Sequence, residues 1–363
     1  MENEQRVCTM CNCTLREDEG YELDDHILCD ECFSEHTTTC DHCGETIWAN
    51  EAVTDDHTTL CAGCFDDHYR RCEECGRIIY DNDAYWHGDY PYCSSCYDEL
   101  DNEIEEYSYK PDPIFYGEGN RFFGIELEID CAGKDEEYAR KIKEQANLRC
   151  EHIYCKSDGS LEDGFEIVTH PMTLEYHLHE MPWASVLHEA VRLGYKSHMT
   201  TTCGLHIHIN RDALAEGRDE QDQVIEHILF FVEKHWAELF TFSRRSEYSM
   251  SRWAARYGYE KTGKQILDKA KKNGAGRYCA INICPYATVE FRLFRGTLKL
   301  NTLFATLELV NHIIDTALTM TEDEIANQSW SDFVQTVTEP ELLQYLRERK
   351  LYVNDEVEME EEV

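Results

Sequence analysis

Four segments of this chain alternate ionisable and apolar residues. They read Phe123-Gly-Ile-Glu126-Leu-Glu128-Ile129, Phe165-Glu166-Ile167-Val168, Gly204-Leu-His206-Ile-His208-Ile209-Asn210 and Val289-Glu290-Phe-Arg292-Leu-Phe-Arg295-Gly. A period of two is the period of a β-strand, so each segment has one polar and one apolar face. Glu126 and Glu128 share a face; so do His206, His208 and Asn210, and so do Glu290 and Arg292. Solvated strand faces usually carry Thr, Ser or Lys. A repeated set of Glu, His and Arg on neighbouring strands instead predicts a sheet whose polar face is a floor of metal and phosphate ligands and whose apolar face is covered by helices.

The order of elements around these strands predicts an α+β domain with a mainly antiparallel sheet. Strand 121–130 is followed by a helix near 134–148, strands 152–156 and 165–169, and a helix over 174–193. Strand 204–210 then precedes a long helix over 219–241 with apolar positions Val224, Ile228, Phe231, Trp236 and Leu239. A short helix at 263–272 leads to strands 277–284 and 288–295, joined by the turn Pro285-Tyr-Ala287. Helices fill 300–349. The acidic stretch 101–119, punctuated by Lys110-Pro-Asp-Pro113, reads as a linker ahead of a domain at 120–349. Residues 350–363 read as an acidic tail, disordered from Asn354 to Val363.

The first hundred residues have a different grammar, a repeat of 32 residues. Cys8-x2-Cys11 is followed by Cys29-x2-Cys32, Cys40-x2-Cys43 by Cys61-x2-Cys64, and Cys72-x2-Cys75 by Cys93-x2-Cys96. Four thiolates at this spacing close a tetrahedral zinc shell, and a closed shell is structural. Modules at 1–36, 37–68 and 69–100 are each too small for a self-sufficient core, so zinc supplies folding energy. They resemble treble-clef or LIM-like zinc ribbons, although seven residues separate Cys32 from Cys40 where LIM fingers nearly abut. His26, His36, His57 and His68 are alternative ligands by position, and Cys13 is a spare thiol. Asn12, Gly44 and Gly76 stand where a metal knuckle needs a positive φ.

Composition narrows the setting. The formal net charge is -39, and residues 1–110 carry 29 acidic against 6 basic residues. Such a surface repels nucleic-acid phosphates and anionic lipids, which leaves a protein partner as the functional role for the modules, beside a purely supporting one. No run of apolar residues has the length of a membrane span, and Met1-Glu-Asn-Glu-Gln lacks the features of a signal peptide. With 19 cysteines, zinc binding in a reducing cytoplasm is the expected arrangement.

On the polar sheet face, carboxylates suit Mg²⁺, and Arg277, Arg292 and Arg295 are suited to clamp phosphates. No Walker A and no G-x-G-x-x-G motif is present. The turn Asp158-Gly159-Ser160 sits just ahead of Glu166. Together with Arg277-Tyr-x-Ala-Ile-Asn282 and Val289-Glu-Phe-Arg-Leu-Phe-Arg-Gly-Thr297, these blocks resemble, in order, those of the amidoligase family. That family belongs to the carboxylate–amine ligases and is distantly similar to glutamine synthetase and glutamate–cysteine ligase.

The resemblance covers about residues 120–320. It implies a glutamine-synthetase-like antiparallel sheet that binds ATP and two or three Mg²⁺. By the same resemblance Glu126, Glu128, Glu166, His206 and Glu290 are metal ligands. His208 and Asn210 lie with the nucleotide, and Arg292 and Arg295 neutralise phosphate. The implied reaction activates a carboxylate as an acyl phosphate and joins it to an amine, with Asp158 a candidate for binding and deprotonating that amine. Peptide or protein substrates, and an oligomer, are compatible with it. Two other readings stay open on the residues alone: a metal hydrolase built on His206 and His208, and a non-catalytic adaptor.

Overall fold

The computed structural model describes residues 6–16, 18–87, 90–98, 103–198, 200, 202–272 and 276–352. The acidic segment expected to be disordered, 354–363, lies outside the described residues. The chain divides into two compact units, Met1–Asp101 and Asn102–Val363.

The second unit is built on one seven-stranded sheet. Its strands are β1 (Ile104–Glu105), β2 (Phe123–Ile129), β3 (Ile153–Lys156), β4 (Phe165–Thr169), β5 (Gly204–Asn210), β6 (Ile281–Asn282) and β7 (Thr288–Arg295). They lie in the order β1-β3-β4-β2-β5-β7-β6. Only β1 and β3 run parallel; every other pair is antiparallel. The four alternating segments are therefore β4, β2, β5 and β7, side by side at the centre.

The odd-numbered positions of β2, Ile125, Leu127 and Ile129, are fully buried, as are Leu205, Ile207 and Ile209 of β5. This apolar back packs with Ala139 and Ile142 of the helix Glu136–Ala146, Trp183 and Val186 of Trp183–Arg192, Ile225 and Phe231 of Arg218–Lys234, and Leu307 and Val310 of Leu300–Thr319. Each such large side chain taken from water contributes roughly 1.5–3 kcal/mol, so the back face fixes the register of the strands and, through it, the contents of the other face.

Several expected elements are shorter or broken. The helix expected over 174–193 is two, Leu174–His179 and Trp183–Arg192, because Pro182 lacks the N–H that would continue the first. The helix expected over 219–241 breaks at His235 into Arg218–Lys234 and Trp236–Ser243. Of strand 277–284 only Ile281–Asn282 joins the sheet, Cys279 making a single bridge to Ala255, and a helix at Glu247–Trp253 was not anticipated. The stretch 101–119 is not only a connection: Ile104 and Glu105 pair with Cys155 and Lys156 as the edge strand of the sheet. Among the described residues no helix is long and apolar enough to cross a membrane.

In the first unit the cysteines that gather are those of one repeat: Cys8, Cys11, Cys29 and Cys32; Cys40, Cys43, Cys61 and Cys64; Cys72, Cys75, Cys93 and Cys96. The sulfurs stand 3.7 Å apart for Cys11 and Cys29, 4.0 Å for Cys43 and Cys61, and 3.9 Å for Cys75 and Cys93. Four sulfurs around one zinc at about 2.3 Å lie about 3.8 Å from one another, so these clusters fit zinc. Asn12, Gly44 and Gly76 adopt the expected left-handed turn, with φ of 61°, 76° and 71°. Cys29 and Cys61 cap the short helices that follow them, their sulfurs accepting the N–H of Cys32 and Cys64 at 3.5 and 3.3 Å.

The first and second repeats also borrow apolar cover from the next. Trp48 packs on Leu28 and Cys32 and donates its indole N–H to Asp24 at 2.8 Å. Ile78 packs on Cys40 and Leu60 while its N–H donates to Asp55 at 2.6 Å. Metal analysis of the purified protein is expected to find three zinc ions per chain, one for each cluster, with one ion lost in Cys40→Ser and one in Cys72→Ser. A wild-type content near one zinc would refute the four-thiolate arrangement.

Candidate active site

Strand pairing turns the alternation into a site. Glu128 lies opposite Glu166, and Glu126 opposite His206; His208 lies opposite Glu290, which lies opposite Asn282. The register between β5 and β7 shifts between Leu205 and Ile207: Arg292 and Leu293 of β7 together oppose His206, so the extra residue is on β7. Because β5 lies between β2 and β7, the imidazole faces carboxylates on both sides. Its Nδ1 is 3.3 Å from Glu126 and 3.6 Å from Glu290, and its Nε2 is 3.9 Å from Glu128. Two ligand sets result, Glu126–His206–Glu290 and Glu128–Glu166–His206, each with donor atoms within 4.8 Å of one another.

The electrostatics of this floor are unbalanced. Glu128, Glu166, Glu290 and His206 are all at most 4% exposed. Burial, followed by the charges of Glu126, Glu128 and Asp158, pushes Glu166 well above the usual carboxylate range. Burial also raises Glu128, against the pull of His206 and Arg245. At Glu126 burial opposes ionisation, but the charge of His208 and hydrogen bonds from both histidines outweigh it and hold the carboxyl well below that range. Clustered buried carboxylates must share protons or take up a cation, and an all-oxygen and imidazole donor set suits a hard divalent ion.

Further groups brace the ligands. Asn282 donates to Glu290 at 2.6 Å, and Arg292 pairs with the same carboxylate. The N–H of Gly204 donates to Glu128. Arg245, nearly buried, sits beside Glu128; it is anchored by Phe294 O and Ser249 Oγ, both at 3.1 Å, and burial lowers its pKa to about 10, so it stays charged. Arg245 follows Arg244, whose φ of 60° turns the chain at the end of Trp236–Ser243. Asp130, just past β2, accepts from the N–H of Cys131 and Asp163 at 2.8 and 2.7 Å and from the Thr202 hydroxyl at 2.9 Å. It thereby ties the loop after Asp158 to the floor. Asp158 itself accepts from Ser160 N–H at 2.6 Å and lines the cavity.

The cavity above the floor has a volume of about 820 Å³, in the range of small-molecule sites. Its walls carry Lys110, Lys156, Arg245, Arg277 and Arg292, with Tyr107, Trp253 and Tyr278. The Arg277 guanidinium lies 5.4 Å from the Tyr107 ring centre and 5.1 Å from that of Tyr278, a cation–π cradle. Thus carboxylates line the floor and cations the walls.

Of the residues expected from the sequence, Glu126, Glu128, Asp158, Glu166, His206, Arg277, Glu290 and Arg292 line this cavity. Three do not. Asn210 shares the face by parity, but its amide is consumed in holding the chain before β2: Oδ1 accepts from Phe122 N–H and Nδ2 donates to Asn120 O, both at 2.9 Å. Arg295 lies opposite Gly204, past the extra residue of β7 and near the strand's end, and lines a different cavity, donating to Arg244 O at 3.3 Å. His208 shares the polar face but lies outside the cavity, 3.2 Å from Glu126 and 3.1 Å from the Thr288 hydroxyl, so it acts on a ligand and not on the cavity. The sequence reading missed Arg245, Trp253, Tyr107 and Asp130; the last follows Glu128 by two and its place in the alternation was a usable signal.

The family described as "Putative amidoligase enzyme" matches residues 133–314. The chain belongs to this family. No curated protein matches the sequence. Among solved structures, a bifunctional glutathione synthetase from Pasteurella multocida is similar at 13% identity with a TM-score of 0.40, over 65% of this chain and 47% of that one. The amidoligase-family chain thus spans about half the length of that protein.

A methyl group on Gly204 would stand 2.7 Å from His206 Nε2 and crowd the Arg245 guanidinium as well. Gly204→Ala is therefore expected to lower the thermal midpoint of the zinc-loaded protein by about 3 °C or more, since overpacking costs about 1–3 kcal/mol. An unchanged midpoint would show that the floor is slacker than described.

Proposed function

We propose that this family member is an ATP- and Mg²⁺-dependent ligase that forms an amide, peptide or isopeptide, bond between a carboxylate and an amine through an acyl phosphate. The observation that supports it most is the pair of ligand sets sharing His206 beneath a cavity with cationic walls. Family membership supports a ligase in general.

In this reading Glu126 and Glu290 would hold one Mg²⁺ and Glu128 and Glu166 another, and His206, whose neutral imidazole has one lone pair, would ligate one of the two. Bound there, Mg²⁺ offsets charge on the phosphoryl oxygens. His208 keeps Glu126 ionised, and Arg292 and Asn282 keep Glu290 in place. Arg277, between two tyrosine rings, clamps the nucleotide phosphates, and Arg292 and Arg245 face the transferring group. An oxygen of the substrate carboxylate attacks the γ-phosphorus and ADP leaves. The amine nitrogen then attacks the acyl carbon, its proton passes to Asp158, and phosphate leaves.

The zinc modules recruit a peptide or protein acceptor in this proposal, because their acidic surface disfavours nucleic acid. A reducing compartment, the cytoplasm, suits cysteines gathered as thiol sets with no disulfide among the described residues.

Release of ADP and phosphate from ATP, Mg²⁺ and a pool of amino acids and peptides is the direct assay. Glu126→Ala and Glu290→Ala should each reduce it by about 100-fold or more; ATP cleavage at the wild-type rate in both would sink the ligase reading. Once an acceptor is found, removal of residues 1–100 should raise its KM about tenfold and leave the KM for ATP unchanged. An acceptor KM that does not move would count against recruitment by the modules.

A further inference from the structure

One wall of the catalytic cavity comes from a segment outside the residues that match the family, 133–314. Ile104 and Glu105 pair with Cys155 and Lys156, and Ser157 N–H donates to Glu105 O at 2.8 Å. Ile104 is buried and its own N–H donates to Glu136 at 2.8 Å, so this segment is anchored to the sheet edge. Just beyond it Tyr109 N–H donates to Glu106 O at 2.9 Å, which closes a turn with Tyr107 and Ser108 at its tip. There the Tyr107 ring meets two cations from distant parts of the chain. Lys156 Nζ stands 5.6 Å from its centre and the Arg277 guanidinium 5.4 Å. These two differ from the other cations of the cavity. Arg292 pairs with Glu290, and Arg245 lies beside Glu128. Lys156 stands opposite Glu166 in the sheet, yet its ammonium turns to the ring and makes no ion pair with that carboxylate. It is 8% exposed, and among the described residues it has no hydrogen bond or ion pair. Arg277 has no carboxylate partner among them either; it donates to the Tyr278 hydroxyl at 3.2 Å. In a chain whose formal net charge is -39, a buried ammonium turned from the carboxylate that faces it is arranged for an anion that enters the cavity.

We propose that Lys156 and Arg277, held by the Tyr107 ring, form one receptor for a chain of phosphates beside the carboxylates Glu128 and Glu166, with Tyr107 as its positioning residue. In the ligase reading, on which the identity of the natural ligand rests, that chain is the polyphosphate of ATP. A point charge and a planar fork set around one ring match successive phosphate groups better than a single carboxylate. The electron-rich ring attracts both cations and offsets their mutual repulsion, yet leaves their charge available to an anion. A carboxylate in its place would offset the repulsion and consume the charge.

Calorimetric titration of the full-length, zinc-loaded protein with inorganic tripolyphosphate in the presence of Mg²⁺ tests the receptor, and the same titration with a non-hydrolysable ATP analogue tests the nucleotide. Tyr107 is about half exposed, so its replacement spares the core. The Kd for tripolyphosphate is expected to rise about tenfold in Tyr107→Leu and in Lys156→Met, and to stay near the wild-type value in Tyr107→Phe, which keeps the ring. In Tyr107→Leu/Lys156→Met the combined loss should fall short of the product of the two single losses, because the ring acts through the ammonium. Four results overturn the proposal: no saturable tripolyphosphate binding, a Kd unmoved by Tyr107→Leu, a loss in Tyr107→Phe equal to that in Tyr107→Leu, or losses that multiply in full. Tripolyphosphate bound in the expected pattern without binding of the ATP analogue would support the receptor and sink the ATP-dependent ligase reading instead.

Discussion

Everything at the candidate site depends on keeping four glutamates close together with little water. Glu126, Glu128, Glu166 and Glu290 repel one another, and burial makes each charge more costly. What permits the arrangement is the sheet beneath it. The strands are locked in register by their apolar backs, so the carboxylates cannot move apart without exposing Ile125, Leu127, Ile207 and Phe291. The repulsion is thus held by the core and is available to be relieved by a cation.

His206 is the pivot of that arrangement. It sits opposite the bulge of β7, between Glu126 and Glu290 on one side of its ring and Glu128 on the other. The central place of β5 brings the imidazole near the carboxylates of both neighbouring strands, and Gly204, two residues before it, leaves room for Arg245 to balance Glu128. The same economy of neighbouring residues with different duties recurs at Arg244 and Arg245, and at Arg292 and Arg295.

The zinc modules depend on another constraint. Their apolar clusters contain the cysteines themselves, together with one or two large side chains, and Trp48 and Ile78 serve the cluster of the preceding repeat. With so little surface to bury, the metal shell and the stacking of repeats must supply what a core supplies in the larger unit.

Much of this was legible in the chain. Period-two alternation showed which residues of β2, β4, β5 and β7 share a face, and the thiol spacing showed which cysteines form a shell, because both are local properties of the backbone. Parity could not place Arg295, because the extra residue of β7 at Arg292–Leu293 breaks the period of two before it. What local pattern cannot express is which strand lies beside which. Strand order placed Glu166 next to Glu128 and Asn282 next to Glu290. The place of β5 between β2 and β7 set His206 among carboxylates of both, and chain turns far from the strands brought Arg245, Tyr107 and Trp253 to the cavity walls. The sequence by itself determined the kinds of ligand and their faces; the tertiary structure alone decided their partners, because those contacts join residues far apart in the chain and are selected by burial of the whole core.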